Sequence, residues 1–375
     1  MVTLSRMLVN RIKEQHIMKF PCTARALAGV LVLFVLLGLQ GCSGWVSPAL
    51  TPPPASYQMA PGADTSWVLE TPDNDHLLLF GQWWLPPADK PMRAIVLLVH
   101  GTLVHSGFYY PMAEDYANNG IAVFGIDLRG WGQSQGYGRR GNITTYDDYL
   151  TDVRTAADEI RKEYPGVPMF IQGESMGGTI ALLAGIHHID TDGLILNAPA
   201  VEPGLFIGPL RTPRFLARGG LATLSLPGKI APNMPMLAPM HTLERVGAGL
   251  FLKEKQNRER FLNDPFSVHH SLPWSYLSSL HDAVKEVRKG LKQIDVPVLI
   301  QQGTKDVLIP VYSSQDTYDA LAVQDKTLKI YKGLTHATLH DRKRELVWQD
   351  DLDWMTHILD NGPGREGLAV QPTQP

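Results

Sequence analysis

The feature that most constrains this chain is the run 173–178, which reads G-E-S-M-G-G. It fits the pattern G-x-S-x-G, in which a serine lies on a sharp turn between a buried strand and a helix. The required context is present, because an apolar run over 167–172 precedes it and a helix-forming run over 179–187 follows it. Side chains would clash in so tight a turn, which explains the glycines. We therefore expect a strand–turn–helix unit with the Ser175 hydroxyl exposed above a sheet.

Strand-like and helix-like runs alternate along most of the chain. Buried strands are expected over 93–100, 121–127, 194–197, 296–302 and 327–331, after an antiparallel pair over 66–70 and 76–85. Helices are expected over 110–119, 146–164, 313–321 and 345–359. Repeated βα units predict an α/β fold with a mostly parallel, doubly wound sheet that is covered on both faces.

One segment, 200–294, interrupts this alternation. It is rich in Pro, Leu and Met, and its apolar residues are only weakly periodic. An insertion after the strand that ends near Asn197 lies above the carboxyl ends of the strands, where open α/β sheets bind ligands. We therefore interpret 200–294 as a cap, whose apolar residues either pack it onto the core or form a pliable acyl pocket. The residues expected in that pocket are Met234, Met236, Leu237 and Met240, together with Leu103 and Val104.

The N-terminal residues 1–42 have the pattern of an export signal. Positive charge at Lys19 and Arg25 precedes an uninterrupted apolar stretch over 26–39, shorter than the ~20 residues that a membrane-spanning helix needs. The stretch ends in L-Q-G-C, which resembles the bacterial lipoprotein signal, where the cysteine (here Cys42) is lipidated and becomes the first residue of the mature chain. An uncleaved helical anchor is the alternative. Either arrangement predicts an exported, membrane-anchored body.

Composition divides the rest of the chain. Residues 43–61 are rich in Pro and Ser and are predicted to form an extended tether. The folded body is expected over 62–361, and the Gly/Pro/Gln-rich tail 362–375 is predicted to be disordered. Ser43 after the cysteine resembles the sorting signal of Gram-negative outer-membrane lipoproteins. We therefore expect the protein to be anchored in the bacterial outer membrane, either at its periplasmic face or at the cell surface.

Charge and cysteine content exclude several functions. The 375-residue chain has a formal net charge of −3, and no basic run favours nucleic acid as a partner. Its two cysteines, Cys22 and Cys42, lie near the N-terminus, which excludes a disulfide framework or a Cys-rich metal site in the body. No obligate protein partner is evident.

The start of translation is a separate question. Because residues 1–17 would make a long leader, we expect translation to start at Met18.

A serine hydroxyl is a poor nucleophile until a base removes its proton, so Ser175 needs a histidine base and an acid that orients it. In folds with this motif the order is Ser, acid, His. Asp306 is the candidate acid, because it follows the strand 296–302 on a loop at the carboxyl end. A structural cap of the next turn or helix is the alternative role. Asp316 and Asp319 are poorer candidates, because they fall within the next helix.

His336 is the candidate base, because it follows the last strand after a short turn, and His340 is its competitor. Helix capping or solvent exposure explains the pairs at 187–188 and 269–270 more simply. His100 is expected to be a buried structural residue. A structural role is an alternative for His105 as well.

When a serine attacks a carbonyl carbon, the carbonyl oxygen becomes an oxyanion, and this oxyanion needs two preorganised backbone N–H donors. Met176, the residue after the nucleophile, is expected to supply one. The other is expected from residues 100–109, here called the oxyanion loop, which reads H-G-T-L-V-H-S-G-F-Y. Thr102 is the favoured donor and Leu103 the alternative. This chemistry requires no metal and no organic cofactor.

These motifs together resemble the α/β-hydrolases of the monoacylglycerol lipase and lysophospholipase group, also classed with the serine aminopeptidase S33-like hydrolases. The matching pieces occur in the family's order over about 67–359: H-G-T-L-V-H-S-G-F-Y, D-L-R-G-W-G-Q-S, G-E-S-M-G-G, N-A-P-A, G-T-K-D and G-L-T-H. The family's loop usually reads H-G-x-G-E-H-S-x-R-Y, from which Leu103, Val104 and Phe108 depart, and Trp131 replaces a common His. These changes make the mouth of the site more apolar.

The resemblance implies an α/β-hydrolase fold with an inserted cap, and a lipid-directed carboxylic ester hydrolase that works through an acyl-enzyme. The expected partners are a lipid or small ester substrate and the membrane, reached through the lipid anchor. One alternative is an exopeptidase of the aminopeptidase group, in which acids of the cap bind a free amino terminus: Glu244, Glu254 and Glu259. The other is a lipoprotein that keeps the fold as a non-catalytic binding scaffold.

Overall fold

The structure is a computed structural model that describes residues 49–142, 145–202, 206–207, 210–211, 214–236, 248–249, 252–269 and 272–362. The expected export signal with Cys42 lies outside these residues. So do 237–247 of the expected cap and the tail from 363 onward.

The described strands are β1 (Thr65–Glu70), β2 (Leu78–Trp84), β3 (Ala94–Val99), β4 (Ile121–Ile126), β5 (Met169–Glu174), β6 (Gly193–Asn197), β7 (Phe206–Ile207), β8 (Leu210–Arg211), β9 (Val298–Gly303) and β10 (Lys326–Tyr331). Eight of them form one sheet in the order β1-β2-β4-β3-β5-β6-β9-β10. The β1–β2 and β2–β4 pairs are antiparallel, whereas each pair from β4 to β10 is parallel. Strands β7 and β8 form a separate hairpin. The predicted mostly parallel sheet is confirmed.

The described helices are α1 (Tyr110–Asn118), α2 (Tyr146–Glu163), α3 (Met176–Ile186), α4 (Arg214–Ile230), α5 (Lys255–Asn263), α6 (Trp274–Gly290), α7 (Val311–Ala320) and α8 (Arg344–Asn361). Residues of α2, α3 and α6 belong to one buried apolar cluster, and residues of α1 and α8 to a second. Alternate side chains of β3 enter each cluster, Leu97 the first and Leu98 the second. The sheet is therefore covered on both faces, which explains why its strands are continuous apolar runs.

The carboxyl ends of four parallel strands bring the predicted site residues to one edge of the sheet. Val99 of β3 pairs with Gly173 of β5, and Gly303 of β9 pairs with Tyr331 of β10. Because parallel strands end at the same edge, the loops that follow them converge there. Those loops carry Thr102, Ser175, Asp306 and His336.

The described part of the cap is mostly helical and also contains the β7–β8 hairpin. Helices α4 and α6 pack against each other, and α6 also packs against α3 of the core. Apolar residues of α6, among them Leu280 and Val284, join the first core cluster. The sequence indicated the insertion but not these helices, because helix-breaking Pro227 lies inside α4 and the apolar spacing is irregular. In the part of the chain that the structure describes, no helix has both the length and the hydropathy to cross a membrane.

The segment before β1 lies along the body. The Thr51 backbone N–H donates to the Gly136 carbonyl oxygen at 2.7 Å, and the Tyr57 ring stacks on Phe80 with ring centroids 5.2 Å apart. Further backbone N–H groups donate to side-chain amides of the body, Gln58 to Gln133 and Ala60 to Gln82. Residues 49–61, the described part of the expected tether, have no regular secondary structure apart from an isolated bridge at Leu50, and they are attached to the body.

Candidate active site

Ser175 lies on the turn between β5 and α3 with φ 55° and ψ −110°, a strained conformation for a residue other than glycine. The flanking glycines permit this turn. A Cβ atom at Gly173 would lie 2.1 Å from the Gly177 carbonyl oxygen, and one at Gly177 would lie 2.1 Å from that of Val99. The Ser175 N–H donates to the Asn197 carbonyl oxygen at 2.8 Å, which holds the strained residue in place. The predicted strand–turn–helix unit is confirmed.

His336 and Asp306 form a close pair. His336 Nδ1 lies 2.7 Å from Asp306 Oδ2, and the Asp306 side chain is fully buried. Asp306 Oδ1 accepts the N–H groups of Leu308 at 2.7 Å and Ile309 at 2.8 Å, and Gln302 Nε2 donates to Oδ2 at 2.7 Å. Asp306 therefore holds its own turn and also orients the imidazole. Because a carboxylate only accepts, the His336 proton resides on Nδ1 and Nε2 keeps a free lone pair.

The surroundings of His336 favour its protonated form, as a base that must accept a proton requires. Burial disfavours the imidazolium, but the neighbouring Asp306 carboxylate outweighs this and raises the pKa of His336 above its ordinary value. The imidazolium that forms when His336 accepts a proton is therefore stabilised.

Ser175 and His336 line a common cavity with a volume of about 270 Å³. Its wall is mostly apolar, and the apolar and aromatic residues in it are Leu103, Val104, Phe108, Ala200, Leu252, Tyr276, Leu280, Leu308, Ile309 and Ala337. Leu103 and Val104 therefore line the cavity as expected. Among the described lining residues, however, Met234 and Met236 do not occur. Met236 packs against the first core cluster instead, and Leu237 and Met240 lie outside the described residues.

The competing base His340 lines the same cavity but has a different carboxylate neighbour. Its Nε2 lies 3.6 Å from Glu174 Oε2, and its ring packs 4.8 Å from the Phe108 centroid and 4.7 Å from that of Tyr109. Burial lowers the pKa of His340, which the Glu174 carboxylate only partly offsets. The described geometry therefore pairs Asp306 with His336 rather than with His340.

Two elements carry the expected oxyanion donors. Met176 is the first residue of α3, so its N–H has no intrahelical acceptor. In the oxyanion loop the Gly101 N–H donates to the Tyr109 hydroxyl at 2.9 Å, which leaves Thr102 and Leu103 as the candidates. Leu103 has a φ of 73°, and both residues line the cavity.

Glu174 is a site residue that the sequence analysis did not identify. It occupies a variable position of the G-x-S-x-G pattern, which carries no signal for it. The Tyr109 hydroxyl donates to Glu174 Oε2 at 2.8 Å. Burial alone would raise the pKa of Glu174, but His340, His336 and the Tyr109 hydroxyl lower it below its ordinary value. The cavity is therefore lined by a carboxylate other than Asp306, close to His336 and His340.

His100 has the structural role that we expected. Its Nδ1 donates to the Gly101 carbonyl oxygen at 2.8 Å, and its Nε2 accepts the Leu128 N–H at 3.2 Å. Burial lowers the pKa of His100 to about 4, so the ring is neutral near pH 7. His100 thus fixes the start of the oxyanion loop.

Two of the three acids that an exopeptidase site would use lie elsewhere. Glu254 pairs with Arg344 at 2.8 Å, and Glu259 lies 3.6 Å from Lys255. Neither is among the described residues that line the Ser175 cavity. Glu244 lies outside the described residues.

A serine on a nucleophile elbow, followed along the chain by an acid and a histidine on later strand loops, is the arrangement of the α/β-hydrolase fold. The chain is a serine carboxylic ester hydrolase of that fold. Residues 90–343 match the family model described as serine aminopeptidase, S33, and the chain belongs to this family.

Known relatives agree with this assignment. Monoglyceride lipase of Homo sapiens is 30% identical over 302 residues, which cover 80% of this chain and 90% of that protein. Monoacylglycerol lipase of Mycolicibacterium smegmatis is 28% identical over 277 residues, with 74% and 92% covered. A solved structure of a soluble variant of monoglyceride lipase from Saccharomyces cerevisiae has a TM-score of 0.64 and 21% identity, covering 84% of this chain and 100% of that chain. The sequence matches place the chain in the monoacylglycerol lipase group, and the structural match shows the fold.

Proposed function

We propose that this protein is a membrane-tethered hydrolase that cleaves the carboxylic ester of monoacyl lipids, either monoacylglycerols or lysophospholipids. The observation that carries the proposal is the cavity around Ser175 beside the His336–Asp306 pair, whose mostly apolar lining suits an aliphatic chain. The names of the two curated relatives, a monoglyceride lipase and a monoacylglycerol lipase, support the same substrate class.

The reaction passes through an acyl-enzyme. Ser175 Oγ attacks the ester carbonyl carbon while His336 Nε2 takes its proton, and Asp306 stabilises the imidazolium. The backbone N–H groups of Thr102 and Met176 donate to the oxyanion. The intermediate collapses, the C–O bond of the leaving alcohol breaks, and His336 returns the proton to that alcohol. A water molecule activated by His336 then hydrolyses the acyl-enzyme and restores the serine.

Substrate choice follows from the cavity wall. Each methylene transferred from water to an apolar wall contributes about 0.8 kcal/mol, so kcat/KM is expected to rise severalfold over a few added carbons until the cavity is filled. A peptide backbone would find few hydrogen-bonding partners on the same wall. We therefore expect medium and long monoacyl esters to be preferred to acetate esters, and aminoacyl amides to be poor substrates.

A chain-length series of p-nitrophenyl esters and monoacylglycerols, assayed beside leucine and proline arylamides, tests this preference, with Ser175→Ala as the blank. Flat chain-length dependence with strong arylamide turnover would contradict the lipase proposal and support the exopeptidase. Lack of turnover on every substrate would support the binding scaffold.

A pair of matched variants tests whether the described cavity holds the acyl chain. Leu280 lines the cavity, whereas Leu346 is 46% exposed on α8 and does not line it. Leu280→Trp is expected to shorten the preferred acyl chain, because the larger ring occupies part of the cavity. Leu346→Trp should leave the preference unchanged. Equal chain-length profiles for both variants would place the acyl chain elsewhere.

The membrane tether is proposed at Cys42, because the apolar stretch 26–39 ends at L-Q-G-C. Cys42→Ser is expected to abolish incorporation of labelled fatty acid and to release the protein from the membrane fraction. Cys22→Ser is the matched control, because Cys22 is the other cysteine of the chain. Unchanged labelling of Cys42→Ser would refute lipidation at Cys42, whereas a wild type that stays in the membrane fraction without any label would favour an uncleaved helical anchor.

A further inference from the structure

The core fixes the oxyanion loop on both sides of its central segment. On one side, the Gly101 N–H donates to the Tyr109 hydroxyl at 2.9 Å. On the other, the Ser106 N–H donates to Asp127 Oδ1 at 2.8 Å. Both acceptors are buried in the hydrolase core, so these two points are fixed independently of the cap.

The cap holds the segment between these points. Thr102 Oγ1 lies 2.5 Å from the Tyr276 hydroxyl of α6, and the Leu103 carbonyl oxygen accepts the Val268 N–H at 2.8 Å. Among the described residues, the hydrogen bonds to the segment 102–103 come from the cap. The loop residues that are candidates for donating to the oxyanion therefore depend on the cap for their position.

The backbone of this segment needs such restraint. Leu103 has a φ of 73°, which is unfavourable for a residue with a branched side chain. A conformation of this kind is strained and persists only where the surrounding contacts hold it. Without them, the peptide groups at Thr102 and Leu103 would be free to rotate toward an ordinary conformation, which would change the direction of their N–H groups.

We propose that Tyr276 is a positioning residue for the oxyanion hole, whose hydroxyl holds Thr102 and thereby keeps the loop N–H aimed at the developing oxyanion. This inference rests on the proposed ester hydrolysis and adds a role for the cap in the chemical step. Oxyanion donors stabilise the transition state only when they are fixed in place beforehand. Tyr276 therefore affects turnover rather than substrate affinity.

The Tyr276–Thr102 bond is a neutral one. Burial raises the pKa of Tyr276 to about 12, so its hydroxyl keeps its proton throughout the usual assay range. Loss of the bond should therefore lower activity by the same factor at each pH, which separates this role from that of a general acid or base.

Kinetics of paired variants test the proposal. Tyr276→Phe and Thr102→Val each remove one hydroxyl of the bond, and each is expected to lower kcat roughly fivefold to tenfold with KM within about twofold. The double variant should be no slower than the slower single variant, because the two hydroxyls act through one bond. Thr102→Ser retains the hydroxyl and should recover most of the rate. Tyr318→Phe, on α7 outside the cavity, is the matched control and should match the wild type.

Hydrogen exchange of the full-length protein provides a readout that does not require turnover. In Tyr276→Phe, peptides that cover 102–105 should exchange faster than in the wild type, while peptides of β3 should not change. Unchanged exchange, an unchanged kcat or additive losses in the double variant would each overturn the role of Tyr276. A wild type that hydrolyses no ester would instead refute the proposed function, and the exchange experiment would still decide the positioning of the loop.

Discussion

His336 Nδ1 and Asp306 Oδ2 lie 2.7 Å apart, and the Asp306 side chain has no exposed surface. Three other donors, from Gln302, Leu308 and Ile309, also bond this carboxylate. These bonds fix the carboxylate in one orientation and so fix the ring of His336. The orientation of the His336 ring relative to Asp306 is therefore set by bonds within the protein.

The pair predicts the pH dependence of the reaction. Only neutral His336 can take the serine proton, so kcat/KM should fall as pH decreases through the pKa of His336. Asp306 raises that pKa above its ordinary value of 6.5, so the midpoint should lie above 6.5. In Asp306→Asn the midpoint should move down and kcat should drop severely, because the imidazolium loses its counter-charge. A rate profile from pH 5 to 9 measures both, and a wild-type midpoint below 6.5 would contradict this account.

Two replacements of Ser175 should lose activity equally but differ in stability. Ser175→Ala and Ser175→Gly should both lose on the order of 10⁴-fold in kcat, because no nucleophile remains. Ser175→Gly should nevertheless be more stable than Ser175→Ala by about 1 kcal/mol, or roughly 2 °C in Tm, because glycine relieves the strain at φ 55°. Thermal unfolding of the two variants, compared side by side, checks the order. Equal Tm values would indicate that the turn stores no strain.

The two histidines of the cavity should differ sharply in importance. His336→Ala is expected to be nearly as inactive as Ser175→Ala, because the base is lost. His340→Ala should stay within about tenfold of the wild-type kcat, since its neighbour is Glu174 rather than Asp306. Circular dichroism of both variants controls for folding. An inactive but folded His340→Ala together with an active His336→Ala would reverse the assignment.

Asp351 predicts a pH dependence of stability away from the site. Its fully buried carboxyl accepts the Tyr116 hydroxyl at 2.6 Å, and burial raises its pKa from 3.8 to about 8. Between these values the native state keeps a proton that the unfolded state releases, so Asp351 lowers the free energy of unfolding as pH rises, by at most about 1.4 kcal/mol per pH unit. Asp351→Asn should therefore gain relative to the wild type from pH 4 to 8 in urea unfolding. Exposed Asp353→Asn is the control and should show no such gain.

The strands and the order of the site residues could be predicted because they are local. A buried parallel strand is a continuous apolar run, and β3, β4 and β10 fall within one residue of their predicted ends. The candidate acid and base follow such strands directly, so their loops were also predictable. The acid that pairs with His336 in the structure is the one that this argument selected.

Contacts between distant segments could not be predicted in this way. Thr102 and Tyr276 are 174 residues apart, and neither belongs to a motif that anticipates a shared hydrogen bond. Met236 satisfies the composition of an acyl pocket yet packs against the core, because composition does not specify which face of a segment is buried. The pairing of Glu174 with His340 depends in the same way on packing between separate loops.

The attachment of residues 49–61 decides where a soluble form of the enzyme can begin. Removal of the segment would uncover the face of Phe80 against which Tyr57 stacks. It would also remove the backbone N–H groups that donate hydrogen bonds to the side-chain oxygens of Gln82 and Gln133. Truncation at Gly62, which the proline content indicates, therefore cuts into the folded protein. A start before Leu50 preserves these contacts while omitting the proposed anchor at Cys42.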